Sequence, residues 1–246
     1  MSKFWRWFLI LFTISLLNGC FYWARAYKTY LQMDDFDQHF TINVDDEFRL
    51  LFNDPVLFDE DFVSLSKLQP SNKSALTTGE SWHYWFRKVD RDGNIIQPEV
   101  KFYFDLNFNQ EEKLTQWAFS QLFLQMAPAK FLEISIRSLG GADINQGKMQ
   151  LKANTDLVEK IETKLPQRAQ VLKQLGDPLE IDSRETQDIY LYHFQLETAS
   201  IEEGYEDRAL SVVKLIFDKK TDELIKMSGR FIGLKISINY QKFVKK

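Results

Sequence analysis

One cysteine, three histidines, six prolines and ten glycines are few for a chain of 246 residues, and each shortage excludes something. With Cys20 alone, no disulfide can form within the chain. His39, His83 and His193 make no metal-ligand spacing with one another or with the cysteine, so no metal is expected. Low proline and glycine content argues against long disordered tracts; only Pro70 to Glu80 reads as a flexible insert. No Gly-x-Ser-x-Gly, P-loop or Gly-x-Gly-x-x-Gly is present. Ser64-Leu65-Ser66-Lys67 has the Ser-x-x-Lys form, but the Lys-Thr-Gly that such a site also needs is missing. Carboxylates are plentiful, yet nothing in their spacing singles out an acid–base pair. No catalytic residue and no cofactor is expected, and the chain is read as a non-enzyme.

What is there begins with the leader. Lys3 and Arg6 supply a short positive region, and Trp7 to Leu17 form an apolar run broken only by Thr13 and Ser15. That run has the length of a signal core and is shorter than the roughly 20 residues that span a bilayer. Leu17-Asn18-Gly19-Cys20 follows. It resembles the lipobox of bacterial lipoproteins, with an aliphatic residue three before the cysteine and a small one just before it. The resemblance implies cleavage between Gly19 and Cys20, diacylation of the Cys20 thiol and acylation of the new amino group. Several acyl chains anchor stably where one binds only marginally. The competing reading is an uncleaved anchor extended by Phe21, Tyr22, Trp23 and Ala24. By analogy with enterobacterial sorting, Phe21 in place of an aspartate after the cysteine implies the outer membrane, periplasmic face, with the inner membrane as the alternative.

The formal charge is −4, and loss of a leader with two positive and no negative residues takes it to −6. A net acidic chain is a poor ligand for nucleic acid and for anionic lipid. Aromatic residues reach 15%, enough for two cores.

Along the chain, Asp34 to Phe40 is expected to be a short helix and Asn43 to Phe52 a second, with Asp45, Asp46 and Glu47 in its first turn. Glu80 to Lys88 is a strand, with Trp82, Tyr84 and Phe86 on one face and His83, Trp85 and Arg87 on the other. Trp82, Tyr84, Trp85 and Phe86 are the candidate partner-binding residues: a strand bulky on both faces is either buried twice or offers a patch. Asp90-Arg91-Asp92-Gly93-Asn94 is a turn. Further strands are expected at Val100 to Phe108, Leu114 to Gln125, Lys130 to Ser138 and, as a hairpin partner, Lys148 to Ala153. Asn154 or Thr155 opens a helix carrying Leu157, Val158 and Ile161, and Pro166 starts the next, stopped by Gly176-Asp177-Pro178. Strands close the chain at Asp188 to Glu197, Ala209 to Asp218, Glu223 to Phe231 and Ile232 to Tyr240.

The chain reads as one unit written twice. Phe52-Asn53-Asp54-Pro55 parallels Leu175-Gly176-Asp177-Pro178, Tyr84-Trp85-Phe86 parallels Tyr192-His193-Phe194, and Phe108 with Leu114 parallels Phe217 with Leu224. The expected fold is α+β: two tandem units, each of two short helices packed on an antiparallel three- to four-stranded sheet. Their bounds are 1–19 for the leader, 20–140 for the first unit and 141–246 for the second. The second unit, on Asp143-Ile144-Asn145-Gln146-Gly147, Leu175-Gly176-Asp177-Pro178, Tyr190-Leu191-Tyr192-His193-Phe194 and Leu215-Ile216-Phe217-Asp218, resembles the SmpA/OmlA (BamE-like) family. Leu165-Pro166-Gln167 stands where that family has a Gly-Met-Thr/Ser-like entry to the second helix. The resemblance implies a non-enzymatic protein-interaction module of outer-membrane protein assembly or envelope maintenance, held to the membrane through acylated Cys20, with envelope proteins such as barrel-assembly components as partners. The alternative is a lipid-anchored periplasmic enzyme or a small-ligand or lipid carrier using a cleft between the units.

Overall fold

A computed structural model describes Tyr22 and residues 24–140, 142–145, 150–152 and 159–245. The leader, Gly19, Cys20, Gln146-Gly147 and most of the helix expected after Asn154 lie outside the described residues; of that helix Ile161 is described, bridged to Val244 in extended backbone.

The chain folds as helix α1 (residues 24–32), α2 (Phe36–His39), β1 (Phe40–Val44), β2 (Phe48–Phe52), α3 (Asp59–Ser66), β3 (Asn72–Leu76), β4 (Gly79–Val89), β5 (Lys101–Asn109), β6 (Leu114–Phe119) and α4 (Ala129–Arg137). Then come the hairpin β7 (Asp143–Asn145) and β8 (Gln150–Lys152), α5 (Arg168–Leu175), β9 (Glu180–Ser183), β10 (Gln187–Glu197), β11 (Leu210–Asp218), β12 (Leu224–Phe231) and β13 (Leu234–Asn239). Eleven strands form one curled antiparallel sheet in the order β1-β2-β6-β5-β4-β10-β11-β12-β13, with β3 and β9 branching onto β4 and β10.

This overturns the expectation of two separate helix-on-sheet units. The reason is the length of β4 and β10, which have 11 residues each. Hairpin partner β3 covers only Gly79 to His83 of β4, and β9 only Asp188 to Leu191 of β10. The remaining edges pair with each other, His193↔Val89 through Glu197↔Trp85. Two exposed edges that fit are better paired than left open, and the sheet becomes continuous.

The halves still share a register. Tyr84 and Tyr192, and Phe86 and Phe194, hold matching places in their hairpins. Phe108↔Leu114 and Phe217↔Leu224 both follow a bulge. Each hairpin turn also receives the start of a helix: Asp59 N–H donates to Glu112 O (3.0 Å) and Arg168 N–H to Asp222 O (2.8 Å). The helices end on left-handed residues, Lys67 (φ 65°) and Gly176 (φ 66°). The helix-stopping counterpart of Gly176 is thus Lys67, not Asn53, because Phe52 ends a strand.

Other expectations are corrected too. Asn43 to Phe52 is the β1–β2 hairpin, since Phe48, Leu50 and Phe52 alternate inward, and Asp45-Asp46-Glu47 is its turn. Lys130 to Ser138 is helix α4, burying Phe131, Leu132 and Ile134. Leu114 to Gln125 is a strand only to Phe119 and then turns through 3-10 helix at Phe123–Gln125. The supposed flexible insert holds β3.

One core fills the concave side of the sheet. Phe86, Phe102, Phe104 and Phe123 of the first half pack with Phe194 and Phe231 of the second: Phe102–Phe194 lie 4.9 Å apart and Phe123–Phe231 5.4 Å. The first half's Lys88 Nζ donates to the carbonyls of Leu175 (2.8 Å) and Asp177 (2.6 Å). Reciprocally, Arg208 of the second half donates to those of Leu65 (2.8 Å) and Ser66 (3.3 Å). Each half supplies the cation that satisfies the orphan carbonyls at the other's helix C-terminus.

Burial pushes the phenols of Tyr84, Tyr192 and Tyr240 above their usual value of 10.0. The folded state then holds these protons where the unfolded chain releases them, so their contribution is full below pH 10 and lost as the pH rises beyond it. Urea titrations followed by far-ultraviolet circular dichroism are expected to show a falling midpoint from about pH 10 upward, less steep in Tyr240→Phe.

Candidate functional site

Alternation from Trp82 to Lys88 on β4 and along β5 decides what reaches the convex face. Trp82, Tyr84 and Phe86 are 2%, 0% and 1% exposed. Three of the four candidate partner-binding residues are therefore core, and only Trp85 faces out. Cross-strand pairing sets Trp85 against Tyr103, with ring centroids 4.7 Å apart and Lys101 Nζ 5.2 Å from the Trp85 ring. The Tyr103 hydroxyl donates to the Glu47 carboxylate. Burial, reinforced by that hydrogen bond and by the Glu47 charge, keeps Tyr103 protonated well above the usual phenol range. Arg49 braces the same turn, through Asp45 (2.7 Å) and Glu47 (3.1 Å). An open groove of about 630 Å³ runs alongside, lined by Asp46, Glu47, Arg49, Lys101, Tyr103 and Gln121 among others. Charges of both signs, a phenol and an adjoining half-exposed indole suit a polar, mixed-charge partner surface with an aromatic anchor.

One register further along, His83 faces Asp105. Their contact is 2.6 Å, Nδ1 to Oδ1, and His83 Nε2 lies 3.3 Å from Ser74 Oγ on β3. Burial raises the Asp105 carboxyl, against the hydrogen bond and charge of His83, which lower it. The connectivity is that of a nucleophile, a base and an orienting acid. Ser74 is exposed on its strand.

The other histidines stand apart: His39 pairs with Asp54 at 2.8 Å, and His193 faces Val89 and Val212 across the seam. Among the described residues no group of three or more His, Cys, Asp or Glu side chains could hold a metal. Asp90 to Asn94 is a turn, Asp90 Oδ1 accepting from the N–H groups of Asp92 (2.9 Å) and Asn94 (2.8 Å). Lys101, Tyr103, Asp105 and Glu47 join the site only in the folded chain. For the three on β5 the only signal was the outward register of the strand beside Trp85, which becomes legible once β4 and β5 are paired; Glu47, in the β1–β2 turn, carried none.

No family model, curated protein or solved structure matches the chain. No helix among the described residues is long and apolar enough to cross a membrane.

Proposed function

We propose that the chain is a lipid-anchored envelope lipoprotein, attached to the outer membrane through acylated Cys20, whose curled sheet is a protein-interaction module. Leu17-Asn18-Gly19-Cys20 at the end of the apolar leader, holding the only cysteine, carries the reading. The face around Trp85, Tyr103 and Lys101 offers the partner an aromatic anchor in a polar rim. Metabolic labelling with an alkyne fatty acid tests the anchor: label is expected on the parent and absent from Cys20→Ser, and an unlabelled, soluble parent contradicts it. For the face, crosslinked membranes are expected to yield an envelope partner from the parent and at least about tenfold less from Trp85→Ala, since an anchoring tryptophan contributes 2 kcal/mol or more. Equal yields contradict it.

A second reading, an anchored hydrolase, rests on Ser74, His83 and Asp105. His83 would take the Ser74 proton as the oxygen attacks an ester carbonyl carbon and pass it to the departing alcohol as that bond breaks, and the acyl group on Ser74 would then leave to a water deprotonated by the same imidazole. Covalent labelling by a fluorophosphonate, lost in Ser74→Ala, supports that reading; equal labelling of the two removes it.

A further inference from the structure

Net charge conceals how charge is distributed. The chain is −4 as a whole, yet residues 210–246 hold nine lysines and arginines against three acids. The strands display part of this excess on one face. On β11, Val213, Leu215 and Phe217 point inward and Lys214 outward. On β12, Met227, Gly229 and Phe231 point inward and Lys226, Ser228 and Arg230 outward. On β13, Lys235 and Ser237 are exposed on the outward side.

The register brings the cations together. Lys214 is opposite Ser228, with Lys226 and Arg230 two residues to either side of that serine, and Arg230 is directly opposite Lys235. Like charges in cross-strand positions repel. Among the described residues, none of these four makes an ion pair or side-chain hydrogen bond. The acid nearest in register, Asp218, lies two residues beyond Ile216, which is opposite Lys226, and its carboxylate accepts from the N–H groups of Lys220 (2.9 Å) and Thr221 (3.0 Å) in its own turn; Glu180 and Asp182, two strands beyond Lys214 and Ile216, are taken by Arg91 and Arg184. A repulsive cluster with no internal counter-charge fits an external anion.

The second observation is the edge itself. β13 is the last strand of the sheet, so one row of its N–H and C=O groups has no strand partner among the described residues. An added strand would set alternate side chains beside Lys235 and Ser237 on the outer face. Those between would lie beside Leu234 and Ile236, which are half-buried on the inner face.

We propose that the β13 edge, with the cationic face beside it, docks an extended segment of a partner protein in which acidic and apolar residues alternate. Open backbone in register favours a polypeptide over a phosphate group, which cannot form a ladder. The proposal is independent of Cys20 acylation and of the Trp85 face.

The test uses the mature chain and a short blocked peptide alternating glutamate and valine, followed by fluorescence anisotropy and hydrogen exchange. Exchange protection on binding is expected across 234–239, with affinity falling as salt rises. The double variant Arg230→Glu/Lys235→Glu is expected to bind about tenfold or more weakly and to bind a lysine–valine peptide instead. Both sites are exposed and their reversal leaves the buried face intact; Lys214→Glu, alone on the neighbouring strand, is a second probe should the double variant misfold. Equal binding of the glutamate peptide by parent and charge-reversed forms, protection elsewhere, or binding of anionic phospholipid vesicles or inorganic polyphosphate with none of the peptide overturns it.

Discussion

Phe104→Ala is expected to destabilise the protein by about 3–5 kcal/mol, the range for a buried phenylalanine whose site cannot collapse. Phe104 is 0% exposed and sits 4.8 Å from Phe123, 5.0 Å from Phe119 and 5.8 Å from Phe231. These rings come from the turn after β6, the end of β6 and the far half, so no single element can move in to fill the space. For a chain of this size the loss lowers the melting temperature by roughly 6–20 °C. Differential scanning calorimetry checks it, and a change below about 1 kcal/mol, the typical effect of an arbitrary substitution, would contradict so central a position.

Lys88→Met is the second large effect. Methionine keeps the length and apolar stem, but the carbonyls of Leu175 and Asp177 lose their shared donor. A buried acceptor left unsatisfied costs about 1–3 kcal/mol, so about 3 kcal/mol is expected for the two. The substitution also leaves a pH signature. Burial lowers the Lys88 ammonium below 10.5, against the Asp177 charge, which raises it. The unfolded chain therefore binds more protons across the window from the lowered folded value up to 10.5. This group's contribution to stability rises with pH there, opposite in sign to the buried tyrosines above pH 10. Urea midpoints across that window are expected to rise less in Lys88→Met than in the parent. Identical profiles would mean that the amine is not held at the helix end.

What could be read from the chain follows physical lines. Tyr84-Trp85-Phe86 and Tyr192-His193-Phe194 alternate without interruption, so their strands and equivalent registers were visible in the sequence. Lys130 to Ser138 was ambiguous: Leu132, Ile134 and Ile136 alternate as a strand does, whereas Phe131 and Ile134 are three apart as on a helix. Pro128 at the start favours the helix. Phe48-Arg49-Leu50-Leu51-Phe52 is too short for either period to decide. The seam was invisible because it depends on how much of β4 and β10 their hairpin partners leave uncovered. The candidate face was one-quarter legible: Trp85 was named, but its three companions belong to the core. The basic face on β11–β13 stayed hidden behind a net negative charge, because pairing register decides which lysines meet.

The account stands on the two halves being one folded body, joined through β4 and β10. The tryptophans of the mature chain provide a direct probe, because Trp23, Trp82, Trp85 and Trp117 all precede the second half. The deciding measurement is urea unfolding of the mature chain and of Phe231→Ala, followed by tryptophan fluorescence and far-ultraviolet circular dichroism together. The account predicts that a cavity made in the second half moves the tryptophan transition by about 3–5 kcal/mol, coincident with the dichroism. A tryptophan transition that stays in place while the dichroism splits into two steps would contradict it.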